Sequence, residues 1–334
     1  MALESSDLAA LHEVLLGLAG RIPDEALVQC RTWLAADELE PLARTLVYLT
    51  VTQPVPLMDD ELGTLLALAH PYGMDDSLDG AFSLVPYLPG PAYAFQAVEA
   101  AEPRRQLVYT DDPIVTAAIV ALEAQPQATG MWVAMRDPLA GAQWPPSRRV
   151  FVVQVSGDAA AVAGRLQAAL RAAGEQVPMV ECYQSGTDVP QYHLLARRYG
   201  CLVWTREPRL DVLVANGYAP GGEQRRLAAD RSGPVLSYLD AGAELLGFVE
   251  PVLDMVEPSR GVVVPGGYRT DGVWTWPETA SYYLNRYGIA PDADLLTHID
   301  RGGAAEPPDD VACEMAATAV LHPKTEVKPL WVDA

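Results

Sequence analysis

Lysine is nearly absent from this chain. Two residues, Lys324 and Lys328, stand beside 21 arginines and 44 Asp and Glu, and the formal net charge is −21. So few cations exclude partners before they select any. Duplex nucleic acid needs clustered Lys and Arg against its phosphates, and an anionic membrane surface needs the same. Cysteine is scarce as well. Cys30, Cys182, Cys201 and Cys313 show neither CxxC pairing nor dense spacing, so reduced thiols in a cytoplasmic protein are expected. No run of about 18 apolar residues occurs, which argues against a membrane-spanning helix. Met1 to Asp7 lacks a basic stretch leading into an apolar core, so no secretory signal is read there.

Recognisable chemistry is missing too. The histidines His12, His70, His193, His298 and His322 form no HxxxH or HxH pattern, and zinc ligation needs more than scattered single ligands. His193, between Cys182 and Cys201, reads as a helix residue packed beside a sheet. Asp75, Ser77, Asp79 and Gly80 fit the first half of a calcium-binding EF-hand loop. Pro86 occupies the twelfth position, where the bidentate Glu belongs, so the segment reads as an acidic helix–strand connection. Ser185-Gly186 and Ser232-Gly233 are not GxSxG elbows. Gly221-Gly222 and Gly266-Gly267 lack the frames that cradle phosphate. Accordingly no catalytic residue, no cofactor and no metal site is assigned.

What is present is an uneven charge. Residues 1–100 hold fifteen acids against three Arg, for a net of −12; residues 101–233 net +1, and residues 234–334 net −10. The composition, half apolar and one fifth charged, is that of a folded protein. A mixed α/β class (α+β overall) is expected, in five segments. Residues 1–73 read as a helical module. Leu8, Leu11, Leu15 and Leu18 share one face, and Pro23-Asp24-Glu25 opens a second helix burying Leu27, Cys30, Trp33 and Leu34. Pro41 and Asp59 open two more. Residues 74–103 are a connecting region with strands near 82–87 and 93–98.

Residues 104–233 read as an α/β domain with an internal repeat. Arg104-Arg105, a strand at 106–109, Asp111-Asp112, a helix at 114–123 and a strand at 131–135 are followed by the same order. That second unit runs from Arg148-Arg149 through a strand at 150–155, Gly157-Asp158, a helix at 159–173 and a strand at 177–182. Parallel strands joined by a crossover helix are the usual solution. A helix at 191–199 and a strand at 201–204 complete it. Residues 234–300 read as a hairpin–helix module, with a hairpin turn at Asp271-Gly272 and helices ending at Gly288 and starting at Asp292. Residues 301–334 read as a surface strap or disordered tail.

The densest aromatic and polar stretch runs from Tyr268 to Tyr287. Trp274 and Trp276 fall on one strand face, and Tyr283 and Tyr287 on one helix face. Either these pairs pack together as a small core, or Tyr268, Arg269, Asp271, Trp274, Trp276, Glu278 and Tyr283 form an exposed partner-binding patch, since Trp, Tyr and Arg anchor interfaces. The phrase from Gly261 to Pro291 resembles a cassette of uncharacterised actinobacterial proteins, themselves similar to members of polymorphic-toxin neighbourhoods where immunity proteins are common. Scarce lysine and abundant alanine suit a high-GC genome. The resemblance carries no catalytic residue.

The expected function is therefore a cytoplasmic, non-enzymatic binding protein. Its leading form is an immunity-type inhibitor that meets a basic toxin or nuclease through acidic surfaces. A scaffold component of a larger assembly is the alternative. An enzyme acting on a small polar substrate at the carboxyl ends of 150–155 and 177–182 is the third class. Plain solubility is a competing use of the same charge.

Overall fold

The computed structural model describes residues 5–74, 80–97, 112–142, 144–207, 212–218, 225–245, 249–304 and 307–321. They belong to two compact units, Met1–Glu207 and Pro208–Ala334. Eleven α-helices and four sheets occur among them, a mixed α/β architecture as expected.

In the first unit the helices α1 (Ser5–Gly17), α2 (Asp24–Ala35), α3 (Leu39–Thr52) and α4 (Asp59–Ala69) lie where apolar spacing places them. Their first turns collect acids (Asp24 and Glu25 in α2; Asp59, Asp60 and Glu61 in α4), which complement the positive ends of the helix dipoles. Glu61 also accepts the Met58 backbone N–H at 2.9 Å, closing the start of α4. The short strands β1 (Pro56–Leu57) and β2 (Ser83–Leu84) pair in parallel.

The main sheet is built from β3 (Tyr93–Ala97), β4 (Ala128–Pro138), β5 (Arg148–Val155), β6 (Met179–Gln184) and β7 (Cys201–Thr205). Helices α5 (Pro113–Glu123), α6 (Ala159–Ala172) and α7 (Gln191–Tyr199) connect them. Asp112 and Asp158 cap α5 and α6 through their side chains, as Ser, Thr, Asp and Asn commonly do. Among the described residues the expected crossover is seen in the second unit of the repeat, where β5 and β6 are parallel and α6 joins them. The strand expected at 106–109 lies outside the described residues. The closing strand of that first repeat, β4, runs antiparallel to β5, because the two follow one another with no helix between them. A direct connection returns the chain in the opposite sense.

Alternate residues of the sheet face opposite ways, and its two faces differ in chemistry. One side carries Met131, Val133, Phe151, Val153, Val155, Val180 and Cys182. It packs against Val115, Ala118 and Leu122 of α5 and Val162, Ala163, Leu166 and Leu170 of α6. At roughly 1.5–3 kcal/mol per fully buried large apolar side chain, this layer dominates the stability of the unit. The other side carries Trp132, Arg136, Gln154, Glu181 and Tyr183, and it meets α2 and α7 through polar contacts. Residues 1–73 are thus part of the sheet-containing unit and not a body of their own.

The second unit holds β8 (Leu213–Val214), α8 (Ala229–Ala241), β9 (Ala243–Leu245), β10 (Val252–Leu253), β11 (Val262–Val264), β12 (Tyr268–Thr270) and β13 (Trp274–Pro277). Helices α9 (Thr279–Tyr287), α10 (Ala293–Asp300) and α11 (Asp310–Leu321) follow. One sheet has the order β8-β13-β12-β9; β10 and β11 form a separate two-stranded ribbon. The β12–β13 hairpin turns at Asp271-Gly272, with Gly272 at φ 86°, a left-handed conformation that favours glycine. Asp292 caps α10 by accepting from Asp294 and Leu295.

Two boundaries differ from the sequence reading. The division between units falls at 207/208 and not at 233/234. The segment read as a tail from 301 contains α11, with Val311, Ala312, Met315 and Ala316 buried. Gly302-Gly303 and Pro307-Pro308 break the chain just ahead of it and mask the amphipathic run that follows.

Candidate functional site

The first concentration of titratable groups lies on the polar side of the main sheet. Arg31, on α2 between Leu27 and Leu34, would ordinarily be solvated, yet it is buried and forked onto Glu181 of β6 at 2.6 and 2.5 Å. His193 Nε2 of α7 reaches the same carboxylate at 2.9 Å. Burial disfavours the Glu181 charge, but the Arg31 guanidinium and the His193 hydrogen bond overcome it and hold the pKa below the ordinary carboxylate value. Beside them His12 Nε2 donates to the Cys182 carbonyl at 2.7 Å, and its Nδ1 is buried without a partner. Burial pushes His12 down to about 4, because a proton on Nδ1 would bring an unpaired charge into the interior.

A second fork runs parallel to the first. Arg136 of β4 donates to Asp24 at 2.9 and 2.6 Å and to the Tyr192 hydroxyl at 3.2 Å. Its own burial opposes the guanidinium charge, yet the Asp24 and Tyr192 contacts raise its pKa. Further along the same face Arg197 donates to Tyr183, which donates to Gln154. These groups bond one another across sheet and helix. Their chemistry is used internally, to hold α2 and α7 in register on the sheet.

The second unit has two clusters. In the first, Asp271 Oδ1 accepts the Val273 and Trp274 backbone N–H groups at 2.9 and 2.7 Å. Its Oδ2 faces His298 Nε2 at 2.6 Å and accepts from Tyr238 at 2.5 Å. Burial opposes the Asp271 charge and these donors reverse it, so its pKa is lowered. The hairpin, α8 and α10 meet at this carboxylate. In the second, Asp254, fully buried in the turn after β10, accepts from Tyr282 at 2.9 Å, Tyr287 at 2.6 Å and the backbone of Val256 and Glu257. Against the opposing effect of burial, these bonds bring Asp254 down to about 2. Nearby, the Tyr283 hydroxyl accepts the Met255 N–H at 3.0 Å.

The residues expected to form an exposed patch are placed differently. Trp276 is fully buried, with Nε1 donating to the Leu239 carbonyl at 3.1 Å. Tyr283 is buried against Val264 and Ile289, so neither offers a surface to a partner. The reason is packing: Trp276, opposite Arg269 in the hairpin, lies in one core with Leu239, Leu284 and Leu295. Gly242 makes room for it, since a Cβ there would lie 2.4 Å from the indole. Arg269 is engaged by Glu278 at 3.0 Å, Glu244 at 2.9 Å and two carbonyls. Tyr268 and Trp274 are half-buried, and Asp271 serves the turn. The two aromatic pairs fall into separate cores: Trp274 and Trp276 in one, Tyr283 and Tyr287 in the other.

Sequence reasoning assigned no role to Arg31, Glu181, Arg136, Asp254, Tyr238 or His298. A signal existed for three of these. Arg31 interrupts the apolar face of α2, while Glu181 and Arg136 interrupt apolar strands, and a charge in such a place implies a buried partner. Nothing in spacing links Asp271 to His298.

His193 is in α7 beside the sheet, as expected, and bonds Glu181. The four cysteines are unbridged. The half EF-hand at 75–79 and Gly221-Gly222 lie outside the described residues. Among the described residues no group of three or more His, Cys, Asp or Glu is placed to hold a metal ion, and no helix is long and apolar enough to cross a membrane. Comparison with family models, with curated proteins and with solved structures gives no match.

Proposed function

We propose that this chain is a non-enzymatic binding protein that captures a basic protein through the acidic outer face of its N-terminal helices. The observation that carries the reading is how the arginines there are used. Arg21 is held by Glu61 at 2.6 Å, Arg31 by Glu181 and Arg44 by Glu40 at 2.8 Å. Asp37, Glu38, Asp59 and Asp60 are exposed and have no ion-pair partner among the described residues. Asp59 and Asp60 serve the start of α4, at about 0.3–1 kcal/mol each. Asp37, ahead of α3, has no such service, and its charge is open to a partner.

The form this reading favours is an immunity-type inhibitor of a basic toxin or nuclease, met in the cytoplasm, where free thiols persist. Acidic surfaces steer a basic partner and raise its association rate by about 10–10³-fold at low salt. Affinity capture from the native host, followed by a salt titration of the complex, tests it. The expected partner is basic, and its association rate falls steeply with added NaCl and with the combined substitutions Asp37→Lys, Glu38→Lys, Asp59→Lys and Asp60→Lys. An acidic partner, or a complex indifferent to salt, overturns the reading.

A further inference from the structure

The β10–β11 ribbon is out of keeping with the rest of the second unit. Val252, Leu253, Met255, Val256, Val262 and Val263 are between 37 and 60 % exposed. Neighbours along a strand face opposite ways, so exposure of both Val252 and Leu253, and of both Val262 and Val263, leaves each face of the ribbon partly in water, with Val264 covered at one end. Among the described residues each strand pairs only with the other, so each keeps an outer edge. A two-stranded ribbon wetted on both faces is marginal by its own contacts.

It is nonetheless fixed in place. Val264, opposite Val252, is fully buried beside Tyr283 and Ile289. The turn is tied to α9 by the Tyr282 and Tyr287 hydrogen bonds to Asp254 and by the Met255 N–H to Tyr283. The apolar side chains are thus presented by a prearranged frame, which lowers the ordering cost of binding. Contiguous apolar surface held out in this way marks an interaction site.

The charge around it selects the occupant. Residues 249–264 carry Glu250, Asp254 and Glu257 against one Arg260. Arg260 is exposed but lies 3.7 Å from the buried Asp254, which offsets its charge, and 3.9 Å from Glu257, so the exposed Glu250 and Glu257 leave the rim negative. A second copy of the chain would bring the same negative rim into contact with itself. An apolar strand bordered by cations meets both the apolar faces and the rim.

We infer that the β10–β11 ribbon is a docking edge for an extended apolar segment flanked by Lys or Arg. The segment adds as a further strand and seats alternate side chains on the exposed valines and Leu253. This rests on the reading that the partner is basic, and it places a second contact on that partner, separate from the helical face.

The test uses the full chain and two labelled decapeptides of alternating Val and Thr, one ending in lysine pairs and one in glutamate pairs, followed by fluorescence anisotropy. The lysine peptide is expected to bind saturably, and the glutamate twin at least tenfold more weakly. Leu253→Glu and, separately, Val262→Glu should each weaken the lysine peptide at least tenfold. Both positions are exposed, and an unchanged near-UV circular dichroism spectrum establishes that the fold is kept. The lysine substitutions on the helical face should leave peptide binding unchanged. Equal binding of the two peptides, no binding of either, or full binding by the ribbon variants overturns the inference. So does sedimentation showing a dimer that Leu253→Glu dissociates, because the occupant is then a second copy. If the helical-face substitutions abolish capture of a basic partner while the peptides fail, this inference falls and the proposed function stands. If the lysine peptide binds and the captured partner is acidic, the proposed function falls instead.

Discussion

Arg31 and Glu181, 150 residues apart in sequence, are joined by two hydrogen bonds of 2.6 and 2.5 Å with 1 % and 0 % of their side chains exposed. A buried pair of this kind adds little net stability, since desolvation offsets the attraction, but losing one partner strands the other charge. Glu181→Ala or Arg31→Ala should each destabilise the first unit by about 3–5 kcal/mol. The double variant Arg31→Met with Glu181→Leu should recover most of that. Urea unfolding followed by far-UV circular dichroism reads both, and additive losses in a double alanine variant would show that the two do not act as a pair.

His12 gives the first unit a defined acid sensitivity. Its folded pKa, about 4, lies below the ordinary histidine value of 6.5, so the unfolded chain takes up a proton first as pH falls. The His12 contribution is fully present above about pH 6.5 and is lost between there and pH 4. Integrated over that window the linkage amounts to about 3 kcal/mol at most. Unfolding free energies at pH 7, 6, 5 and 4 should fall more steeply for the native chain than for His12→Gln, and parallel curves would refute the assignment.

Trp276 is a core residue, and its truncation should behave accordingly. Trp276→Ala should cost about 3–5 kcal/mol in the second unit. Tyr268→Ala, half-buried on the neighbouring strand, should cost less. Thermal melts of the two variants, compared with the native chain, settle the order.

Asp254 holds Tyr287, and the tie can be read spectroscopically. Burial first, and the Asp254 hydrogen bond next, raise the Tyr287 hydroxyl to about 12. Asp254→Asn should bring it back toward 10, visible as earlier tyrosinate absorbance near 295 nm in an alkaline titration. The Asp254 contribution to stability is present above the ordinary aspartate value of 3.8 and is lost as pH falls toward about 2. A tyrosine titration unaltered by Asp254→Asn would break the link between the ribbon turn and α9.

The parts of the fold governed by local chemistry were legible in the sequence. Helix α2 follows from Pro23-Asp24-Glu25, the β12–β13 turn from Asp271-Gly272, and α10 from the Asp292 cap, because each signal acts within four residues. Strands β5 and β6 were legible as apolar runs separated by a helix-length amphipathic stretch. The antiparallel course of β4 was not, since strand direction depends on a pairing that the alternation pattern leaves open. The candidate site was the least legible part. Trp274 and Trp276 share a strand face in either reading, and only the packing of Leu239 and Leu284 against the indole decides that Trp276 faces inward. Asp254 looks like one more acid in an acidic segment until Tyr282 and Tyr287 fold back onto it.

Strand β4 uses one long edge twice. Residues Ala134–Pro138 pair with β3, while Gly130–Val133 pair with β7, the last strand of the first unit. During synthesis the sheet therefore waits for its final piece: until residues 201–205 leave the ribosome, the upper half of β4 presents bare backbone beside an otherwise complete sheet. Unpaired edges of this kind recruit foreign strands, so a nascent chain stalled before Cys201 is expected to be more prone to aggregation and chaperone capture than one that has released β7.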